Sequence, residues 1–476
     1  MSLLWVAVAL MLPMLGGWVV WCALLGRPRG IFGWSAALGS GCLVGSVAWG
    51  GILTFFDAVS TPDLFFRTAP WLAGFVLVAA CAAWRWAPAP MEDLSAGQAR
   101  PTRFERLTVA AAGLVLLVAA VAIWMQATSL PTLTWDAWNA WLAKSKAWYY
   151  AGQFLPVRGF DDWLQASPGS AITTTAWVYP EALPRYVSWV VSAAGTWSDA
   201  AAHVPWPAAW MALGLSCFGL LGLAGCRTSV AAVATTALLT LPLITAHASL
   251  AGYMDLWLAA MLMLAGSHWL RWHRSRFWRD AVFAVLCAGL LPAIKPEGAI
   301  WLLCLSAATV LVLLPRWLRW GMVLLGPLLW AAALPFGGLR VPLPGLGWLR
   351  LGWGEVEIPT RGVMSLEWHP VLDEVAETLF LMPNWSLFWY LAPLIVLLRW
   401  RELRRLPALA GLGWFLTFGY AFLCLLFFFT DAAAWAENLT SINRVLMHIV
   451  PITLVWLTLL WAGPTVPRDT APSTAA

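Results

Sequence analysis

The sequence predicts an all-α polytopic membrane protein of about 13 transmembrane helices, with interfacial helices in a long first outer loop. Three observations carry this. Charged residues make up 11% of the 476-residue chain and hydrophobic residues 61%, whereas a soluble domain carries about 25% charged residues. The apolar residues fall in many separate runs of membrane-spanning length rather than in one core. Arginine gathers in short segments between alternate runs, as it does in cytoplasmic loops.

In order, the spans are predicted at 4–25, 31–55, 70–88, 108–130, 202–226, 229–248, 251–270, 280–294, 298–315, 320–336, 379–398, 407–429 and 442–462. Pro and Gly interrupt several, so one or two are expected to be re-entrant or merged. Arg27 and Arg29 form one basic cluster, and Arg100, Arg103 and Arg106 another. Arg271, Arg274, Arg276 and Arg279 follow, then Arg316 and Arg319, then Arg399, Arg401, Arg404 and Arg405. With this span count every cluster falls on one side, the cytoplasm, together with the C-terminus. The 37 tryptophans suit the membrane interface, where a half-apolar ring keeps a partner for its N–H. The eight cysteines lie in or beside apolar runs without a CxxC pair, which argues against disulfides or a zinc site. The N-terminus, MSLLWVAVALML, has no basic leader region, so no cleaved signal peptide is expected.

The outer side differs. It holds the long segments 131–201 and 337–378, most of the acids, and all three lysines, Lys144, Lys146 and Lys295. Lysine confined there reverses the usual topology bias, so these lysines are expected to do something other than set orientation. Residues 135–150 suit an amphipathic helix lying on the membrane. Trp135, Trp138, Trp141, Ser145 and Trp148 would share one face, with Asp136, Asn139 and Lys146 near another and Thr134 capping the start. A second apolar piece, 187–195, is too short to span and is expected at the interface. There is no internal repeat. The chain divides into a three-span N-terminal extension (1–100), the main transmembrane unit (101–464) and a polar tail (465–476) expected to be disordered.

Five short motifs place ionisable groups at outer mouths of spans. WDAWNAW carries Asp136, a possible general base or merely a helix cap. VYPEALPRY sets Tyr179, Glu181 and Arg185 beside two prolines that hold the chain extended. HASLAGYMDLWLA buries Asp255 three residues inside an apolar run, just after Tyr253, and an ionisable group at that depth is expected to be functional. AIKPEGAIW puts Lys295 and Glu297 in one tight turn. NLTSINRVLMHIVP sets Arg444 and His448 four residues apart on one face of the last span, where Arg444 could also snorkel to headgroups. Two aspartates, a lysine and an arginine at four mouths of one face suit transfer of a group from a lipid phosphate. The carboxylates would act as base or as ligands of a divalent ion, with Asp136 and Asp255 the candidate metal pair. The cations would hold the phosphate.

The stretches WDAWNAWLAKSKAWYYAG, YPEALP, GYMDLWLA, KPEG and SINRVLMHIVP each resemble segments of the GT-C superfamily of membrane glycosyltransferases. The resemblance is to its bacterial members related to protein O-mannosyltransferases and the lipid A aminoarabinose transferase. It covers about residues 108–462, and Asp136 stands here without the adjacent acid that many protein O-mannosyltransferases have. It implies a polyprenyl-phosphate-linked sugar donor, an acceptor glycan, lipid or protein, and an inner-membrane location with the active site facing the periplasm. Asp136 would be the general base. Asp255 would hold a metal or the phosphate, and Lys295 and Arg444 would neutralise the leaving phosphate. Lys146, Tyr179, Glu181, Arg185, Tyr253, Glu297 and His448 are candidates for substrate contact. Membrane lipids are the other expected partners, and nothing points to nucleic acid. The competing readings are a transporter or flippase of lipid-linked saccharides, which expects midplane charges and a repeat, and an O-antigen polymerase or ligase.

Overall fold

The structure is a computed structural model that describes residues 2–86, 88, 101–343, 347–358 and 362–463. The tail expected to be disordered lies outside the described residues. The N-terminal part is α1 (Ser2–Leu25), α2 (Gly30–Ile52) and α3 (Leu64–Trp86). Next comes α4 (Arg103–Ser129). It opens with a capping box in which Glu105 N–H donates to Thr102 Oγ1 at 3.1 Å and Thr102 N–H to Glu105 Oε2 at 2.8 Å. The first outer segment holds α5 (Leu142–Ala151), α6 (Phe160–Leu164), α7 (Ala182–Ala194) and α8 (Asp199–His203). α9 (Pro205–Leu223) leads to α10 (Thr228–Leu239) and α11 (Pro242–Ser249), then α12 (Asp255–Ser275), α13 (Trp278–Ile294), α14 (Glu297–Leu313) and α15 (Arg316–Ala333). After the second outer segment and α16 (Leu372–Ala376) come α17 (Phe388–Arg405), α18 (Pro407–Phe429), α19 (Ala433–Glu437) and α20 (Ser441–Ala462).

Each predicted apolar run holds a helix. Among the described residues seven helices are long and apolar enough to cross a membrane, or eight if one bent pair counts as a single span. That pair is α10 and α11, bent by 64° where Thr240 and Leu241 precede Pro242. A proline there removes a helix hydrogen bond and disfavours helical geometry before it. The run predicted from 379 becomes regular only at Phe388, because Pro383 and a short 3-10 turn interrupt it.

The core is one continuous cluster running from Val6 to Leu460. α12 is its axis, with every residue from Asp255 to Leu270 buried. It packs on α9, α13, α18 and α20. The N-terminal extension shares this core, since α2 lies along α9 and α7. Small residues allow the approach: a Cβ on Gly39 would strike Ser216, and one on Gly219 would strike Ala36.

The outer segments correct three expectations. Residues 135–150 are not one amphipathic surface helix. A π-helical turn, Ala137–Trp141, precedes α5 and shifts the phase. Trp141 and Trp148 are therefore fully buried, while Trp135 and Trp138 stay exposed and touch edge to face at 4.5 Å. Thr134 does not cap the helix with its side chain; its hydroxyl donates to the Ala251 carbonyl at 3.0 Å. The piece at 187–195 belongs to α7, buried from Ala182 to Ala193 between α1, α2, α3 and α5 rather than leaving an apolar face uncovered by protein. Finally, the second outer segment, expected as an outer loop of an all-α chain, contains strands. It forms a four-stranded antiparallel sheet of β1 (Leu339–Leu343), β2 (Gly347–Leu351), β3 (Glu355–Ile358) and β4 (Gly362–Ser365) in sequential order. Leu339 faces Leu351 and Val356 faces Met364 across it.

Contacts place Arg227, Arg271 and Arg274 at one end of the bundle. Arg227 pairs with Glu105 at 3.1 Å, Arg271 donates to the Leu223 carbonyl at 3.3 Å, and Arg274 donates to the Ala224 carbonyl at 3.1 Å. The acids and lysines of the five motifs lie at the opposite end, the one expected to face outward and hence called the outer end.

Candidate functional site

The centre of the outer end is Asp255, at the first turn of α12 and wholly buried. A carboxylate cannot stay ionised there without donors on both oxygens. Oδ1 accepts from Lys295 Nζ at 2.7 Å and meets His448 Nε2 at 2.8 Å. Oδ2 accepts from Arg444 Nε at 3.0 Å and Nη2 at 2.8 Å. Three elements thus meet at this side chain: α12 itself, the turn between α13 and α14, and α20.

Arg444 is the bridge. Its Nη2 also donates to Asp136 Oδ2, and its guanidinium lies 4.6 Å from the Tyr253 ring centroid. Asp136 therefore does not act as a helix cap; it makes no cap hydrogen bond and points at Arg444 instead. The side chains of Arg444 and Asp136 are 18% and 20% exposed, whereas that of Lys295 is 5% exposed. Asp136 and Arg444 are thus the accessible layer of the cluster, and Lys295 and Asp255 lie beneath it. Lys295 is shared between Asp255 and Glu297, the latter at 3.3 Å, so its ammonium is committed inward. His448 is fixed from behind by the Trp301 indole, which donates to its Nδ1 at 3.2 Å. With Nδ1 accepting, Nε2 carries the proton and donates to Asp255. Sequence reading missed Trp301, which sits inside an apolar run where an indole usually reports packing.

Local backbone features set the position of Asp136. Gly252 has φ 112°, a conformation open to glycine. A Cβ there would run into Ala137 and come within 3.1 Å of Thr134 Oγ1. The 134–137 turn can therefore sit directly on the 251–255 turn. The exit of α4 is pinned as well. Thr132 N–H donates to Asp199 Oδ2 at 3.1 Å, its hydroxyl meets His203 Nε2 at 2.9 Å, and His203 Nδ1 donates to the Ala127 carbonyl at 2.9 Å.

The remaining predicted residues form a separate outer group. Arg185 forks to Glu181 Oε2 from Nε at 3.2 Å and Nη2 at 2.9 Å, and its Nη1 pairs with Asp57 of the N-terminal part. Its guanidinium lies 4.4 Å from the Phe154 ring centroid. Tyr179 packs on Trp141 at 5.0 Å. Lys146 is exposed, 5.7 Å over Trp197. Lys144 is the buried lysine, donating to the carbonyls of Tyr179 at 2.8 Å and Trp177 at 3.4 Å. Burial pushes its ammonium down to about 8, opposed by the Glu181 charge.

An apolar groove of about 610 Å³ runs between α4, α10, α17 and α20. Val233, Leu391 and Leu457 lie along it, and Trp385 is at its outer end. The Trp385 indole donates to Asn443 Oδ1 at 3.0 Å, and Asn443 is the residue before Arg444. Among the described residues no group of three or more His, Cys, Asp or Glu side chains could hold a metal ion. The expected metal pair, Asp136 and Asp255, is bridged by Arg444; as arranged, these residues do not fit a divalent cation. Comparison with protein-family models, curated proteins and solved structures finds no match.

Proposed function

We propose that the chain is a GT-C-like membrane glycosyltransferase of about 13 spans in a bacterial inner membrane, acting at the periplasmic face. It moves a sugar from a polyprenyl-phosphate carrier to an acceptor hydroxyl on a glycan, lipid or protein. The observation that carries this is the Asp136–Arg444–Asp255 chain, with an accessible carboxylate and an accessible guanidinium side by side over a buried counterion set.

In this reading the donor phosphate takes Arg444, the only cation of the cluster's open layer. Arg444 then releases Asp136, which accepts the proton of the acceptor hydroxyl. The acceptor oxygen attacks the anomeric carbon from the face opposite the phosphate. The C–O bond to phosphate breaks, the configuration inverts, and the lipid phosphate leaves with the bonding pair, neutralised by Arg444. Lys295 and His448 act through Asp255, holding it ionised so that Arg444 keeps its position. The isoprenyl chain lies in the groove that ends at Trp385, one hydrogen bond from Asn443. No step is routed through a divalent ion.

The test incubates the purified protein in lipid with a polyprenyl-phosphate sugar and an acceptor, and follows free polyprenyl phosphate. The transferase releases it. A flippase moves the lipid-linked sugar across the bilayer with no release, and that outcome sinks the proposal. Asp136→Asn is expected to slow release by about 10²–10⁴-fold, the usual worth of a general base, with unchanged insertion and melting. EDTA is expected to leave the wild-type rate unchanged.

A further inference from the structure

A cavity of about 310 Å³ opens at the arginine-rich end, far from the outer cluster, and has no part in the transfer chemistry. Its size is at the lower end of small-molecule sites. His273, Arg274 and Arg276 from the end of α12 line it, opposite Pro407, Ala408 and Leu409 of α18 and Leu459 of α20. Among the described residues that line it none is acidic. The nearby acid on α17, Glu402, is taken by Arg405 at 3.1 Å. The charges of Arg276 and Arg319 both reach the His273 ring.

Two further features mark it as more than a gap between helices. Arg276 adopts φ 57°, a left-handed conformation that costs a non-glycine residue about 1 kcal/mol. Its guanidinium is held 5.6 Å over the Trp272 ring. His273, stacked on Trp269 at 5.6 Å, keeps Nδ1 buried with no hydrogen-bond partner. A strained arginine and a half-buried histidine both line one opening whose other wall is apolar.

We propose that this cavity binds the headgroup of an anionic phospholipid from the leaflet at the arginine-rich end. The phosphate meets Arg274, Arg276 and His273, and the glycerol and first methylenes lie on Leu409 and Leu459. Basic pockets between spans on the cytoplasmic side suit this class of ligand. The apolar wall commits the site to a lipid rather than to free phosphate.

The full chain is reconstituted in nanodiscs of phosphatidylcholine with and without phosphatidylglycerol, and retained lipid is read by native mass spectrometry. Wild type is expected to retain phosphatidylglycerol selectively and to melt higher in its presence. Arg276→Gly removes the charge where glycine is the favoured residue, so it melts no lower than wild type in phosphatidylcholine alone. It is expected to retain about fivefold less phosphatidylglycerol, one basic group at a membrane surface being worth about 1 kcal/mol. Arg401→Gln, an exposed charge outside the cavity, is expected to retain as much as wild type. Equal retention of phosphatidylcholine by wild type overturns the proposal. So does an equal loss in Arg401→Gln, full retention in Arg276→Gly, or displacement of the lipid by inorganic phosphate.

Discussion

Asp255 shows how one buried charge organises the outer end. Its oxygens satisfy donors from Lys295, His448 and Arg444. Removing it leaves Lys295 with Glu297 alone, Arg444 with Asp136 alone and the buried His448 Nε2–H without its acceptor; breaking a buried pair costs about 3–5 kcal/mol. Asp255→Ala is therefore expected to lower the melting temperature sharply, measured in detergent by tryptophan fluorescence. Asp136→Asn, at the accessible edge, is expected to leave it unchanged. Gly252→Ala tests the position of the base itself. The positive φ and the contacts with Ala137 and Thr134 must give way, at about 1–3 kcal/mol of strain. A large loss of transfer with retained insertion is expected. The candidates Asp136, Asp255, Lys295, Arg444 and His448 were legible in the sequence because charge is so rare in apolar runs. That Lys295 lies beneath the site rather than at its face was not, since depth depends on how four separate helices meet.

Lys144 and α7 teach a lesson at the scale of elements. Helical periodicity put Trp141 and Trp148 on one face with Trp135 and Trp138, but a single π turn rotates the later pair into the core. Hydrophobic spacing carries no sign of such a turn. The same rotation buries Lys144, whose ammonium falls to about 8 from the ordinary lysine value near 10.5. Below about pH 8 both folded and unfolded chains hold its proton, and burial of the charge is a penalty on folding. Between about pH 8 and 10.5 the unfolded chain binds more protons, so this group makes stability rise with pH. Lys144→Gln is expected to flatten the pH dependence of melting across that window; an unchanged slope would refute the assignment. The sheet of the second outer segment was also missed. Its signal is the alternation of charge with apolar residues in Arg350, Glu355 and Glu357, where Arg350 pairs with both acids at 2.7 and 2.9 Å. The run of turn residues around it reads only as a long loop.

For the whole molecule, the division at residue 100 was drawn from where the family resemblance ends, and packing draws no line there. α2 lies on α9 and α7, Phe65 N–H donates to Ser192 Oγ at 2.9 Å, and Trp189 Nε1 donates to Thr68 Oγ1 at 2.8 Å. Asp57 completes the Arg185 fork. Deleting residues 1–100 is expected to expose the apolar faces of α7 and α9 and to yield aggregate on size-exclusion chromatography, rather than a smaller active unit. The apolar runs were readable because bilayer thickness acts on every span independently. Packing between spans was not, because α12 is apolar on every side from Leu256 to Gly266 and offers no stripe there to orient it.

The single guanidinium shared by Asp136 and Asp255 also has a kinetic meaning. If the chain is the transferase proposed above, its base is sequestered by the same group that receives the donor, so it cannot activate an acceptor first. Steady-state transfer should follow an ordered sequence with the lipid-linked sugar leading. A dead-end acceptor analogue would then inhibit uncompetitively against the donor, and Arg444→Lys, which cannot span both carboxylates with one planar fork, would relax that order.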